Sequence, residues 1–156
     1  MFFRYLGSLT LAVALLAVTG PARADSATTA TAALPAAAVR DGVFIHVSSG
    51  PAEPHRLLMA LRMADLMSAD KDVMMYFDIE GVKALTKSAP DVKHEGFESS
   101  RAMLRRLLGK GIRIQACPGC LKAAGFEAGD LADGVSLADQ KDFTGFTKGR
   151  ILSLTY

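Results

Sequence analysis

Strand patterns alternate with helix or turn patterns from residue 43 to the end of the chain, and this alternation limits the folds that it can adopt. Five short runs have the β-branched, aromatic and apolar composition of strands. They cover residues 43–47, 73–77, 112–116, 134–137 and 151–154. Strands joined through helices form parallel sheets that are covered by helices on both faces. The sequence therefore predicts an α/β fold: a single three-layer α/β/α domain with a five-stranded, mainly parallel sheet.

Two of the intervening segments have the periodicity of longer helices. In 53–69 the polar residues Arg62 and Asp65 lie together, while the apolar residues cover an arc wider than one sheet face needs. In 98–109 leucines occupy one side and arginines the other, and Gly109 ends the pattern. The wide arc on the first helix predicts a second buried contact, and hence a homo-oligomer.

The only two cysteines, Cys117 and Cys120, stand where the third strand turns into a short helix. Unpaired N–H groups and the helix dipole stabilise a thiolate at such a position. Pro118 suits a first helical turn, because no hydrogen bond is lost there. We expect Cys117 to be the exposed, low-pKa, attacking thiol and Cys120, one turn further on, to be the buried, resolving thiol. The pattern indicates a catalytic pair for thiol chemistry.

Polar residues also follow the first two strands. Ser49 comes after the first strand and Asp78 comes directly after the second. Binding sites in open parallel sheets form outside the carboxyl ends of the strands, where the two cysteines also lie. Ser49 and Asp78 are therefore candidate substrate-binding residues.

The first 24 residues have the pattern of a secretory signal peptide. Arg4 precedes an apolar core at 9–18, and Ala22 and Ala24 provide the small residues of a cleavage site. The apolar run is too short to span a membrane. The sequence predicts a periplasmic protein that begins at Asp25 and has no membrane association after cleavage; a retained N-terminal anchor is the alternative. Residues 25–39, rich in Ala and Thr, are predicted to be a flexible leader, and 40–156 the folded domain.

Removal of the signal segment changes the charge balance. The whole chain has 18 basic and 16 acidic residues, and Arg4 and Arg23 are the only charged residues of the segment. The mature chain therefore has 16 of each and a net charge near zero. This balance indicates no nucleic-acid partner.

Residues 42–156 resemble the DsrE/DsrF-like proteins (the DsrE, TusD and YchN group). The resemblance rests on the first strand with the following segment 50–56, on the second strand with 78–82, and on Cys117, eight residues before Gly125. The resemblance implies the family fold, a homo-oligomer and a sulfur-carrying role for Cys117, with Cys120 as the second cysteine of a Cys-x-x-Cys pair. Many members have arginines just before the glycine; here Ala123 and Ala124 occupy those positions, and Lys122 is the candidate for the missing substrate-binding charge.

Simpler interpretations exist for the same residues. The cysteine pair is also compatible with a structural disulfide of an oxidising compartment, although so short a ring contributes little loop entropy. His46 is expected to pack within a strand, His55 and His94 to be solvated, and the methionines at 63, 67, 74 and 75 to fill the core. Two cysteines without nearby histidines supply half of a zinc site, so neither a metal nor a cofactor is predicted.

Two classes of function follow from these residues. In the first, a periplasmic thiol protein carries sulfur as a Cys117 persulfide or exchanges disulfides through Cys117 and Cys120, with sulfurtransferase-like or thiol–disulfide redox activity. Its partners are a sulfur donor or acceptor protein, or a small thiol or sulfide. In the second, the chain is a non-enzymatic binding module, either a copper(I) carrier that uses both thiolates or an oligomeric subunit with a structural disulfide.

Overall fold

The computed structural model describes residues 39–156. The predicted signal segment and all but the last residue of the predicted leader lie outside this range and stay predictions. The described chain has five strands, β1 to β5: Gly42–Val47, Asp72–Phe77, Arg113–Ala116, Ser136–Leu137 and Ile151–Thr155. Four α-helices, α1 to α4, are Pro54–Met67, Ser100–Gly109, Pro118–Ala123 and Gln140–Phe146, and two short 3-10 helices are Gly81–Leu85 and Ala128–Asp130.

The five strands form one sheet in the order β4-β3-β2-β1-β5, and every pairing is parallel. The predicted five-stranded α/β fold is thus confirmed. The fourth strand is shorter than predicted, because Gly134 adopts a φ of 88° and belongs to the preceding turn. Its two residues are exposed at the sheet edge.

Helices cover the sheet on both faces, as predicted. The helices α1 and α2 pack against each other, and the apolar side of α1 joins Val43, Ile45 and Val47 in the main core. Alternate residues of a strand point to opposite faces, so Phe44 and Tyr76 face the other way. There they pack against Phe143 of α4, with ring centroids 5.7 and 5.4 Å apart.

The helix predicted over 53–69 is observed as Pro54–Met67, with Glu53 before its first turn. Of its predicted apolar arc, Leu57, Ala60 and Leu61 are fully buried, whereas Leu66 keeps 57% of its surface exposed. The methionines are core residues, as predicted: those at 74 and 75 are fully buried, and those at 63 and 67 are half-buried against the core.

Gly50 and Gly81 allow the backbone of the loop after β2 to contact the backbone of the loop after β1. A Cβ on Gly81 would lie 2.3 Å from the carbonyl oxygen of Val47, and a Cβ on Gly50 would lie 2.5 Å from that of Glu80. Distances this short are excluded for real side chains. Hydrogen bonds from Asp78 N to Val47 O (3.1 Å) and from Gly81 N to Asp78 O (2.7 Å) add to these contacts. We call the whole set of contacts the Gly50–Gly81 clamp. The clamp fixes residues 78–81, which border the cysteines.

Within residues 39–156, no helix combines the length and the apolar composition that crossing a membrane requires.

Candidate thiol site

Cys117 lies at the junction between β3 and α3. Its N–H donates to the carbonyl of Phe77 on β2 (2.8 Å), which continues the strand pairing by one residue. Its own carbonyl accepts from the N–H of Leu121 (2.9 Å), which begins the helix, and Pro118 is the first helical residue. The backbone of Cys117 is therefore fixed from both sides, at the carboxyl edge of the sheet where the sequence placed it.

The two sulfur atoms have different surroundings. The Cys120 N–H donates to Cys117 Sγ at 3.3 Å, so the thiol of Cys117 itself caps the helix. Burial by itself raises the pKa of Cys117, but hydrogen bonds from the Tyr76 hydroxyl, the Cys120 thiol and the N–H groups of Cys120 and Gly119 outweigh it and lower the pKa. The pKa of Cys120 is raised, first by its hydrogen bond to Cys117. Cys117 is thus the thiol poised to ionise.

Exposure does not rank the two cysteines in the way that the sequence suggested. Both are free thiols and both are half-buried, and burial weighs more on Cys117 than on Cys120. The direction of each pKa shift agrees with the prediction, but its cause is the pattern of hydrogen bonds rather than the depth of the sulfur atoms. Donors converge on Cys117, and Cys120 is one of them.

Tyr76 is the side chain outside the cysteine pair whose hydroxyl lowers the pKa of Cys117. It lies on β2 next to β3, with its ring stacked on Phe44 and edge-on to Phe143. A phenol hydrogen rotates freely, so the ring position determines where the O–H can reach. Burial and the adjacent Cys117 raise the pKa of Tyr76 well above its usual range. The phenol therefore stays protonated and donates to the thiolate throughout the neutral range.

We expect Tyr76→Phe to make Cys117 a weaker nucleophile at neutral pH. The substitution keeps the ring packing and removes one hydrogen bond to a charged group, an interaction worth about 1.5–3 kcal/mol. The alkylation rate of Cys117 at pH 7 should fall about tenfold, and the midpoint of its pH profile should move upward. The pH dependence of iodoacetamide labelling measures both.

Tyr156→Phe is the matched control for Tyr76→Phe, because it removes a phenol hydroxyl at the chain end, where Tyr156 lines a cavity with Glu53 and His55 and not with the cysteines. Its labelling profile should equal that of the unaltered protein. An unchanged profile for Tyr76→Phe would show that the phenol does not stabilise the thiolate.

Asp78 and His46 form a second polar pair beside the cysteines. His46 Nε2 lies 2.8 Å from Asp78 Oδ2, a polar contact that lacks the alignment of a hydrogen bond. The two side chains are 29% and 19% exposed. The other carboxylate oxygen, Oδ1, is buried and has no hydrogen-bond partner among the described residues. The negative charge of Asp78 contributes to raising the pKa values of both Tyr76 and Cys120.

Ile79 adopts a backbone conformation that β-branched residues rarely adopt. Its φ is +45°, and it is the one non-glycine residue of the described chain with a positive φ. Strain of this kind persists only where the surrounding structure imposes it, and it is concentrated at functional sites. The backbone N–H of Ile79 lies close enough to Cys120 to lower the pKa of its thiol. The Gly50–Gly81 clamp and the strained turn thus aim a backbone donor at the second sulfur atom.

The predicted binding residues are only partly brought together. Asp78 lies at the site, as described above. Ser49 is 1% exposed and its hydroxyl has no hydrogen-bond partner among residues 39–156, which counts against contact with a substrate arriving from solvent. Lys122 is exposed on α3. A cavity of about 480 Å³ is lined by Glu53, His55 and other residues, but not by either cysteine.

Tyr76 and Ile79 were not predicted as site residues, and His46 was predicted to pack within a strand. One signal for Tyr76 was available in the sequence. Alternation in the second strand turns Tyr76 away from the main core, and Asp78 comes two residues later. Using that signal required the knowledge that this strand pairs with the cysteine strand. His55 and His94 are exposed, as predicted, with their rings stacked 4.6 Å apart. The described part of the chain contains no cluster of three or more His, Cys, Asp or Glu side chains arranged to hold a metal ion.

Comparison with known proteins gives a family and a fold. The sequence model of the DsrE/DsrF-like family matches residues 41–149. The crystal structure of the ychN protein from E. coli is similar with a TM-score of 0.60 and 21% identity, covering 74% of this chain and 99% of that one. MTH1491, a protein of unknown function from Methanobacterium thermoautotrophicum, is similar with a TM-score of 0.52 and 18% identity over the same shares. A comparison with curated proteins gives no match.

Proposed function

The chain belongs to the DsrE/DsrF-like family, and we propose that it is a thiol-active protein whose Cys117 accepts sulfur as a persulfide or exchanges disulfides together with Cys120. The family and the fold are consistent with a sulfur-relay or thiol protein. The specific role of the two cysteines is our inference from the site.

One observation carries the proposal: hydrogen-bond donors converge on Cys117 while its neighbour is held protonated. The Tyr76 hydroxyl, the Cys120 thiol and two backbone N–H groups lower the pKa of Cys117. The pKa of Cys120 moves the other way, because it donates to Cys117 and lies near Asp78. A structural disulfide requires no such asymmetry, whereas an attacking thiol and a resolving thiol do.

Both forms of the chemistry begin with the same step. The Cys117 thiolate attacks a sulfur atom of a persulfide or disulfide, a bond forms between that sulfur and Cys117 Sγ, and the rest of the donor leaves as a thiolate. A persulfide donor leaves its terminal sulfur on Cys117. A disulfide donor leaves a mixed disulfide, which Cys120 can attack to form the Cys117–Cys120 bond.

Mass spectrometry of the protein purified under non-reducing conditions tests the proposal against the binding-module alternative. An added sulfur atom on the Cys117 peptide, or a Cys117–Cys120 disulfide that small thiols reduce readily, is the expected result. Bound copper, or a disulfide that resists small thiols, would favour a carrier or a structural role instead.

We further propose that the protein acts in the periplasm after removal of residues 1–24. The basis is the sequence pattern of that segment, whose Ala22 and Ala24 flank the predicted cleavage position. Amino-terminal sequencing of the protein from fractionated cells should return Asp25 in the periplasmic fraction. Recovery of Met1 from the cytoplasm would contradict this location and place the thiol pair in a reducing compartment.

A homo-oligomer is also part of the proposal. Leu66 on α1 remains 57% exposed and Leu152 on the edge strand β5 53% exposed, although both belong to largely apolar elements. Burial of such side chains between subunits is favourable by about 25 cal/mol for each Å² of apolar surface. Light scattering at micromolar concentration should give at least twice the monomer mass. A monomer at that concentration would contradict the prediction.

A further inference from the structure

We propose that Asp78, held in place by His46, is the base that removes the proton of Cys120 when Cys120 resolves a mixed disulfide on Cys117. This inference rests on the proposed function, because it assigns the proton of that function's second step. It gives His46 the role of a positioning residue and makes Asp78 a catalytic residue instead of a substrate-binding one.

The geometry places a carboxylate beside the sulfur that must lose a proton. The N–H of Cys117 donates to the carbonyl of Phe77 at 2.8 Å, so Asp78, the next residue, follows directly beside the start of the cysteine helix. The backbone of Ile79 also lies close enough to Cys120 to lower the pKa of its thiol. Asp78 Oδ2 contacts His46 at 2.8 Å, whereas Oδ1 is buried without a partner. A buried polar atom that accepts no hydrogen bond is unusual in folded proteins and calls for an explanation. An oxygen kept available for a transferred proton supplies one.

The charges around Asp78 explain why the second step needs a base. His46 faces the carboxylate from β1, Tyr76 lies on its own strand, and Cys117 and Cys120 face it from the start of α3. In the reduced site the pKa of Cys120 is raised first by its hydrogen bond to Cys117. In the mixed disulfide that hydrogen bond is lost, but burial and the negative charge of Asp78 still raise the pKa. Cys120 therefore remains a thiol at neutral pH, and its attack requires that the proton be removed during the step.

Resolution by Cys120 transfers one proton and exchanges one sulfur–sulfur bond for another. Asp78 takes the Cys120 proton directly or through one water molecule, and the Cys120 sulfur attacks Cys117 Sγ of the mixed disulfide. The bond between the two cysteine sulfurs forms, and the bond from Cys117 to the donor sulfur breaks. The donor leaves as a thiolate and is reduced, while the two cysteines are oxidised to a disulfide. No other oxidant is needed, because the donor disulfide is itself the oxidant.

A symmetric nitrobenzoate disulfide separates the two steps, since each step releases one coloured thiolate. In stopped-flow measurements at pH 7, the first release reports the attack by Cys117 and the second reports the resolution by Cys120. We expect Asp78→Asn to leave the first release nearly unchanged and to slow the second about 100-fold, within the range of general-base effects. In Asp78→Ala, which leaves room for a small carboxylate, added formate should restore part of the second release, which a purely structural role of Asp78 would not allow.

Glu80→Gln is the control, because Glu80 is a carboxylate of the same loop and pairs with Lys83 at 2.7 Å. Both of its releases should match those of the unaltered protein. A second release in Asp78→Asn that is unchanged or faster would overturn the inference. A faster one is what a purely electrostatic role predicts, because loss of the negative charge favours the Cys120 thiolate.

His46→Phe provides an independent variant, since it keeps the carboxylate and removes its contact. We expect its second release to slow about tenfold with an unchanged first release, and this variant carries the test if Asp78→Asn loses its native circular dichroism. An unchanged second release would then overturn the inference. Absence of the first release in the unaltered protein would instead contradict the proposed function, so the two failures are distinguishable.

Discussion

Cys117→Ser is expected to abolish both sulfur loading and disulfide exchange. A serine hydroxyl does not ionise at neutral pH, and the donors from Tyr76, Cys120 and the helix start then have no thiolate to stabilise. The Cys120 thiol that remains lacks the donors that stabilise a thiolate at position 117, so it does not replace the lost nucleophile. Incubation of the reduced protein with a small persulfide, followed by intact-mass measurement, should detect no added sulfur above background.

Cys120→Ser is the matched variant and should have the opposite effect on the product. It keeps the attacking thiol and removes the resolving thiol, so a persulfide or mixed disulfide on Cys117 should persist. The intact mass should increase by one sulfur atom or one donor thiol. Sulfur loading of Cys117→Ser at the level of the unaltered protein would show that Cys117 is not the acceptor.

Gly81→Ala is expected to destabilise the domain and to disturb the site at once. The new Cβ would lie 2.3 Å from the Val47 carbonyl oxygen, and a backbone atom cannot yield as a side-chain end can. Over-packing of this kind costs about 1–3 kcal/mol. The loop 78–81 would have to move, and with it the Ile79 N–H that reaches Cys120. We expect the melting temperature to fall by at least about 5 °C, together with a change in the labelling rate of Cys120.

Gly145→Ala is the control for this effect. It introduces the same methyl group within α4, where no atom lies within 4 Å of the added Cβ. Alanine is favoured over glycine in a helix by about 1 kcal/mol, so the melting temperature should stay or rise. Equal losses of melting temperature in the two variants would show that the close approach of Gly81 to the Val47 carbonyl is not the cause of the destabilisation.

The fold was predictable from the sequence because strand and helix patterns alternate and because each pattern is strong. Residues 43–47 and 73–77 are almost entirely apolar or aromatic, as expected for strands covered on both faces, and they are observed as β1 and β2. The fourth strand was the least accurate prediction. It is a two-residue edge element, and its extent depends on the turn at Gly134 rather than on its own composition.

The cysteines were predictable as a site, but their surroundings were not. Cys-x-x-Cys at a strand–helix junction is a local pattern, so the sequence contains it directly. Tyr76 and His46 reach the site through strand pairing, since Tyr76 lies opposite Gln115 on β3 and His46 lies opposite Tyr76. No pattern in the sequence specifies which strands are neighbours. The positive φ of Ile79 is imposed by tertiary contacts and has no local signal, because isoleucine normally avoids it.

Peptide mapping after limited alkylation tests the central claim most directly, because it ranks the two sulfur atoms in one experiment. The reduced protein would be labelled with a sub-stoichiometric amount of iodoacetamide at neutral pH and digested, and the label on each cysteine would be quantified. Hydrogen bonds that lower the pKa of Cys117 and raise that of Cys120 predict that the label appears first on Cys117. Equal labelling, or labelling of Cys120 first, would contradict the account and favour a structural disulfide.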